Sequence, residues 1–415
     1  MLRNYLLLSW KILSRRKFFT FISLFGVALT LVVLMVATTL LDQGFGAIAP
    51  EINADRTLGV YSIELRRENS EYRGEVGYAF LDRHVRTLPD VEAVTIASSV
   101  DETVTYVQGT RQSLRVKRTD AQFWNVLSFN YLEGGPFTAH DESEANPVAV
   151  ISEETRRRIF GRDQALGKSF ELDGRLFRVV GVVSNVSLLR PFSYADVWVP
   201  LTTAKNDSWR RGMRGPFQAL VLAHSKKDLP RIQAEYAARL PHIDLADGID
   251  DFDTVSGAAE SQFEHMARMI LGGGAFEQDS AAKLRLMLAL AALLFMSLPS
   301  LNMININVSR ILERASEIGV RKSFGASGRT LVGQFVVENL LLTAIGSTIG
   351  FVITLFVLRG ISGTELVAYA QISMNLRVFA YGLLFTVVLG LLSGTYPAWK
   401  MSRLHPVQAL KESAS

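Results

Sequence analysis

Four long stretches of this 415-residue chain carry almost no charge, and no other feature limits the fold as strongly. Phe18 to Leu41 is uncharged between Lys17 and Asp42, Leu286 to Ser309 between Arg285 and Arg310, and Val378 to Trp399 between Arg377 and Lys400. Thr330 to Leu358 contains one charge, Glu338. A hydrocarbon core about 30 Å thick needs roughly 20 apolar residues rising about 1.5 Å each. Each run is long enough to cross a bilayer, whereas the core of a soluble domain has no use for such lengths. The expected fold class is a membrane protein: four transmembrane α-helices plus a mixed α/β extracytoplasmic domain inserted between spans one and two.

The expected parts are an interfacial helix at 1–17, spans at 18–41, 283–308, 330–358 and 377–399, and an outer domain at 42–282. A cytoplasmic turn occupies 309–329, a short outer loop 359–376 and a cytoplasmic tail 400–415. Ala47-Ile48-Ala49 imitates a signal-peptidase site. The apolar run before it is about twice the length of a signal-peptide core, which fits an uncleaved anchor.

Charge sets the orientation. Residues 1–17 hold Arg3, Lys11, Arg15, Arg16 and Lys17 without an acid, and such flanks stay on the cytoplasmic side. Four crossings return the carboxyl terminus to the same side, so both termini are expected inside. The segment from Asp42 to Ala282 has 27 Lys/Arg against 35 Asp/Glu, and the remainder 17 against 5. The acidic part is therefore expected outside and the basic parts against anionic lipid headgroups. The basicity is a membrane-surface property, which leaves a nucleic-acid partner without support. Leu2, Leu6, Trp10 and Leu13 recur at helical spacing beside Arg3, Lys11 and Arg15. They fit a helix lying along the inner leaflet or a cytoplasmic extension of span one. The chain has no cysteine, which excludes disulfides and thiolate chemistry.

In the outer domain, Leu81 to Leu88 reads as the end of a helix, Pro89-Asp90 as a turn and Val91 to Ala97 as a strand. Pro147 to Ile151 is a short apolar strand; Ser152 caps a helix with Glu153 and Glu154 in its first turn, ending at Gly161. Lys168 to Leu172 and Arg175 to Val183 flank Asp173-Gly174 as a hairpin, and Val197 to Val199 forms a strand before Pro200. Gly161 to Ser169 imitates a phosphate-binding loop, with five residues between the glycines where the motif has four. It also follows a helix and precedes a strand, the reverse of what a helix N-terminus holding phosphate requires. His84, His140, His224, His242 and His265 lack metal-ligand spacing, and Asp244, Asp247, Asp250, Asp251 and Asp253 lack the pattern of a calcium loop. No metal and no cofactor are expected on this chain, and no catalytic residue.

Ser309 to Ser327 is the most informative turn. Glu317 and Arg321 lie four apart in the favourable helical order, Glu313 and Arg314 sit one turn earlier, and Gly325 is placed to end the helix. At Glu317-Ile318-Gly319-Val320-Arg321-Lys322-Ser-Phe-Gly-Ala326 the chain resembles the MacB/FtsX family of ABC-transporter permeases. The likeness continues through Gln334-Phe-Val-Val-Glu338-Asn and Tyr396-Pro397-Ala-Trp-Lys-Met-Ser-Arg403-Leu-His-Pro406-Val-Gln-Ala-Leu410. Met401 replaces the usual alanine there. Asn146 to Ser152, Ile159 to Gly161, Ala165 to Lys168 and Phe177 to Val183 follow in the family's order, while about Trp209 to Glu277 matches no motif.

The resemblance implies the permease subunit of a type VII, mechanotransmitting ABC transporter. A separate cytoplasmic ATPase would bind ATP and Mg, since only 17 residues precede span one. Glu313, Arg314 and Glu317 to Lys322 would dock into that ATPase. A second permease copy would complete a homodimer, with a paralogous permease as the other option, and a periplasmic adaptor with an outer-membrane channel is left open. ATP-driven closure would move the outer domain for efflux or lipoprotein release. The alternative is an FtsX-like signalling subunit that activates a cell-wall hydrolase or a sensor kinase. Within the spans, Gly346 and Gly350 form a Gly-x-x-x-Gly pair suited to close helix packing. Glu338 is expected to face protein or lie near the inner surface, with Asn302, Asn305 and Asn307 as candidate hydrogen-bonding groups.

Overall fold

The computed structural model describes residues 2–15, 17–68, 70–107, 110–245, 249, 251–272, 279–313, 328–362, 376, 379–388 and 391. The chain divides into a helical unit (1–40, 285–363 and 372–415) and an outer unit (41–284 and 364–371).

Three of the charge-free runs form helices long and apolar enough to cross a membrane: Lys17–Phe45, Ser280–Glu313 and Gly328–Ser362. The second, Ser280–Glu313, remains helical through Pro299. Of the expected fourth span, the short apolar helix Phe379–Val388 is described, and most of the remainder lies outside the described residues. The amino-terminal helix Leu2–Arg15 is separate from Lys17–Phe45 and packs on Gly328–Ser362. Its Leu13 is buried while Leu7 and Trp10 stay exposed.

Thirteen strands are described in the outer unit. They are β1 (Thr57–Val60), β2 (Ile63–Arg67), β3 (Ser70–Gly74), β4 (Ala93–Ser98), β5 (Asp101–Val107), β6 (Thr110–Thr119) and β7 (Tyr131–Gly134). The rest are β8 (Val148–Ser152), β9 (Ser169–Leu172), β10 (Arg175–Val183), β11 (Val197–Pro200), β12 (Phe217–Leu222) and β13 (Thr254–Gly257). Ten form a mixed sheet in the order β1-β12-β4-β6-β11-β8-β10-β7, with β5 added on β6 and β9 on β10. The other three form a small sheet, β13-β2-β3.

Local chemistry explains several of these elements. Ser152 Oγ accepts the Thr155 amide at 3.1 Å and starts the helix Glu153–Phe160, which Gly161 ends at φ +66°. That helix is the crossover between β8 and β10, which pair in parallel. Asp173 and Gly174 both take positive φ, +56° and +79°, as the turn of the β9–β10 hairpin requires. The phosphate-loop lookalike thus spans a helix C-terminus and the start of β9. The helix expected before Pro89 is a short Tyr78–Phe80 turn running into a π-helical Leu81–Val85, and the strand after it starts at Ala93.

Three buried clusters hold the outer unit. Leu58, Ile63, Phe80, Ile96, Val221 and Tyr236 belong to the first; Phe123, Val150, Trp198 and Leu220 to the second; Val116, Phe170, Val179 and Val197 to the third. Both faces of the large sheet are covered, so its central strands read as apolar runs rather than alternations.

Candidate functional site

Glu313 is the last residue of the helix Ser280–Glu313, and Asn302 and Asn305 lie within it. Arg314, Glu317, Ile318, Gly319, Val320, Arg321 and Lys322 fall outside the described residues, which resume at Gly328.

Inside the helical unit the Gly-x-x-x-Gly pair is a contact seam. A Cβ added at Gly346 would lie 2.8 Å from Val27 Cγ1, and one at Gly350 would lie 3.0 Å from the Ala28 carbonyl oxygen. Only glycine lets the Lys17–Phe45 and Gly328–Ser362 helices approach this closely. Gly328–Ser362 also buries Gln334, Glu338, Asn339, Thr343, Ser347 and Thr354. Glu338 is 2% exposed, so its carboxyl is enclosed by protein.

The outer unit carries two polar clamps that the sequence did not reveal. The loop between β10 and β11 brings Arg190 against the chain just beyond span one. Arg190 Nη1 lies 2.9 Å from Glu51 Oε2, and Nη2 donates to the Gly46 carbonyl at 2.7 Å. Ser193 Oγ donates to the other Glu51 oxygen at 2.6 Å, and Trp198 Nε1 donates to the Ser193 carbonyl at 3.2 Å. Lys117, reaching from β6, donates to the Pro191 and Phe192 carbonyls. Burial pushes the Lys117 amine down to about 7, against the pull of Glu51 and Glu75.

The second clamp lies where the chain returns towards span two. Gly59 and Glu260 exchange backbone hydrogen bonds, and the Glu260 carboxylate receives Arg268 Nε at 3.2 Å together with Arg268 Nη2. His265 Nδ1 sits 2.8 Å from the same carboxylate, and Arg268 Nη2 also reaches Ser62 Oγ at 3.1 Å. Burial raises the Glu260 pKa, and the hydrogen bonds from His265 and Arg268 outweigh it, so the group titrates below the ordinary glutamate value. Ser261 and Glu264 form a capping box that starts the helix Gln262–Leu271 beside this clamp. That Ser-x-x-Glu signal was readable in the sequence and marks the element that supplies His265 and Arg268.

Two family models match the chain. Residues 20–239 match the MacB-like periplasmic core domain, and residues 289–406 match the FtsX-like permease C-terminal region. The chain belongs to the MacB/FtsX family of ABC transporter permeases. Its outer unit is thus a MacB-like periplasmic domain, and its helical unit an FtsX-like permease region in a membrane. Similar curated proteins include the pyoverdine export ATP-binding/permease protein PvdT of Pseudomonas aeruginosa, 25% identical over 97% of this chain and 58% of that protein. The macrolide export ATP-binding/permease protein MacB of Wolinella succinogenes is 27% identical over 97% of this chain and 60% of its own length. The uncharacterized ABC transporter permease YknZ of Bacillus subtilis is 24% identical over 80% of this chain and 79% of that one. The MacB/FtsX permease described here therefore spans less than two thirds of the PvdT and MacB relatives.

Proposed function

We propose that this permease is the mechanical subunit of a type VII transporter, converting ATP hydrolysis on a separate cytoplasmic ATPase into movement of its periplasmic domain for efflux or lipoprotein release. The observation that carries this reading is the helix Ser280–Glu313. It is unbroken over 34 residues, about 51 Å at the α-helical rise. Its first turn is packed into the outer unit through Ala281 and Leu284, and its last residue is the first of the expected ATPase-docking segment. A continuous helix transmits displacement along its axis, and the Glu51–Arg190 and Glu260–Arg268 clamps stiffen the periplasmic ends of both flanking segments. A second permease copy or a paralogous permease, with an adaptor beyond, completes the assembly in this reading; the permease itself binds no ATP or Mg.

The test uses the permease reconstituted with its ATPase. Alanine at both Glu317 and Arg321 should abolish permease-dependent stimulation of hydrolysis while membrane insertion is retained; unchanged stimulation refutes the docking role. Cross-linking the periplasmic domains of two protomers should let hydrolysis continue while output stops, and full output with the cross-link in place refutes the relay.

A further inference from the structure

The helix Gln262–Leu271 is pinned at two places to the chain where it leaves the membrane. Phe263 makes an edge contact with Phe45 at 5.2 Å between ring centres, and Phe45 ends the span-one helix four residues, about 6 Å, beyond Leu41. Ala267 packs with Ala281 and Leu284, and Leu284 precedes the apolar run at Leu286 by two residues, about 3 Å. The inward face is polar and satisfied, with His265 and Arg268 on Glu260.

The opposite face is exposed. Met266, Met269 and Ile270 occupy positions i, i+3 and i+4 and are 39%, 68% and 61% exposed. Two methionines and an isoleucine in water are a poor use of a surface helix, but unbranched thioethers adapt readily among acyl chains. On the Ser280–Glu313 helix Leu286, Met287, Leu290 and Leu294 are exposed too. A stable protein partner needs about 800 Å² and some 20 residues per side, which three side chains on one short helix do not supply.

We propose that Gln262–Leu271 is an interfacial helix that lies on the periplasmic leaflet, with Met266, Met269 and Ile270 inserted among the lipid headgroups and upper acyl chains. This rests on the family's membrane location and is independent of the relay.

The chain has no cysteine, so a nitroxide can be placed at one position at a time in the full-length protein. Met266→Cys, Met269→Cys and Ile270→Cys are labelled in vesicles of phosphatidylethanolamine and phosphatidylglycerol. Lys227→Cys serves as the aqueous reference and Leu290→Cys as the hydrocarbon reference, and a lipid-like signal at Leu290 verifies the span separately. Labels on the helix should show a ratio of oxygen to nickel-chelate collisions several-fold above the Lys227 label and below the Leu290 label. A ratio equal to that at Lys227 overturns the proposal. So does strong spin–spin coupling between two copies at Met269 without a raised oxygen ratio, because the face is then covered by a second permease.

Discussion

The helical unit and the outer unit divide polar and apolar side chains differently. In the Lys17–Phe45 helix the large apolar side chains Phe18, Phe21, Phe25 and Leu29 are exposed, while Ser23, Ala28, Thr30 and Thr39 are buried along with Val27, Leu31 and Met35. In the outer unit the sheet faces bury Leu, Ile, Val, Phe and Trp, and enclosed charges have partners, Arg190 on Glu51 and Lys117 on the Pro191 and Phe192 carbonyls. The polar groups of the spans mostly look after themselves locally: Ser23 donates to the Phe19 carbonyl, Thr30 to Gly26, Thr38 to Leu34 and Thr354 to Gly350. Each unit follows its solvent. Lipid is as apolar as leucine and gives helices no reason to hide it, so close approach of small residues holds them together. Water expels apolar surface, and a charge trapped by that collapse needs a partner.

The sharpest way to break this contrast is at Arg190. Arg190→Met leaves the Glu51 carboxylate buried without its cation and should cost about 3–5 kcal/mol, seen as a lowered melting temperature in detergent. Arg190→Met with Glu51→Leu should recover most of the loss, because a matched apolar pair suits this site. A neutral single variant would show that the clamp does not hold the loop.

Gly350→Leu should cost about 1–3 kcal/mol by forcing the seam apart, read from the same melt or from proteolysis of the spans. A wild-type melt would mean that the two helices do not depend on close approach.

Acidity probes the outer unit alone. Lys117 titrates at about 7 in the folded chain against an ordinary value of 10.5. Between those values the unfolded chain binds more protons, so stability rises with pH, by up to about 1.4 kcal/mol per unit. Lys117→Met should remove that slope between pH 7 and pH 9 in urea unfolding followed by tryptophan fluorescence. Glu260 acts in the other window: its folded pKa lies below the ordinary 4.5, so its contribution is present above that value and lost as pH falls beneath it. Glu260→Gln should blunt the loss below pH 4.5 and leave the Lys117 slope intact.

The smallest effect belongs to the lipid-facing side. Phe25→Leu exchanges one exposed apolar side chain for another and should shift the melt by less than about 0.5 kcal/mol. A large loss there would place that face against protein.

What the sequence disclosed follows the range of the chemistry. Three of the four expected spans, the Ser152 cap, the Asp173-Gly174 turn and the Gly346/Gly350 seam each rest on residues within one turn or one run, and each has a structural counterpart. The Glu51–Arg190 pair, and the contacts of Glu260 with Gly59 and of Arg268 with Ser62, join segments separated by many residues, and no local pattern announces such a return. The stretch from about Trp209 to Glu277 carries no family motif legible in the sequence, although the periplasmic core match reaches residue 239. It nevertheless holds β12, and its Ser225/Asp228 and Ser261/Glu264 capping boxes mark elements on local grounds. The expected ATPase-docking residues remain a reading of the sequence, since Arg314 to Lys322 lie outside the described residues.

The pairing of β1 with β12 has a consequence for how the molecule is made. Thr57 sits opposite Leu222 and Val60 opposite Ala219, so the first strand delivered across the membrane has no place in the large sheet until β12 follows it. β12 in turn lies between β1 and β4, so the export machinery must hand over nearly the whole domain before its amino-terminal edge can close. During that interval β1 is an apolar strand without its partner, the kind of edge that invites wrong pairing.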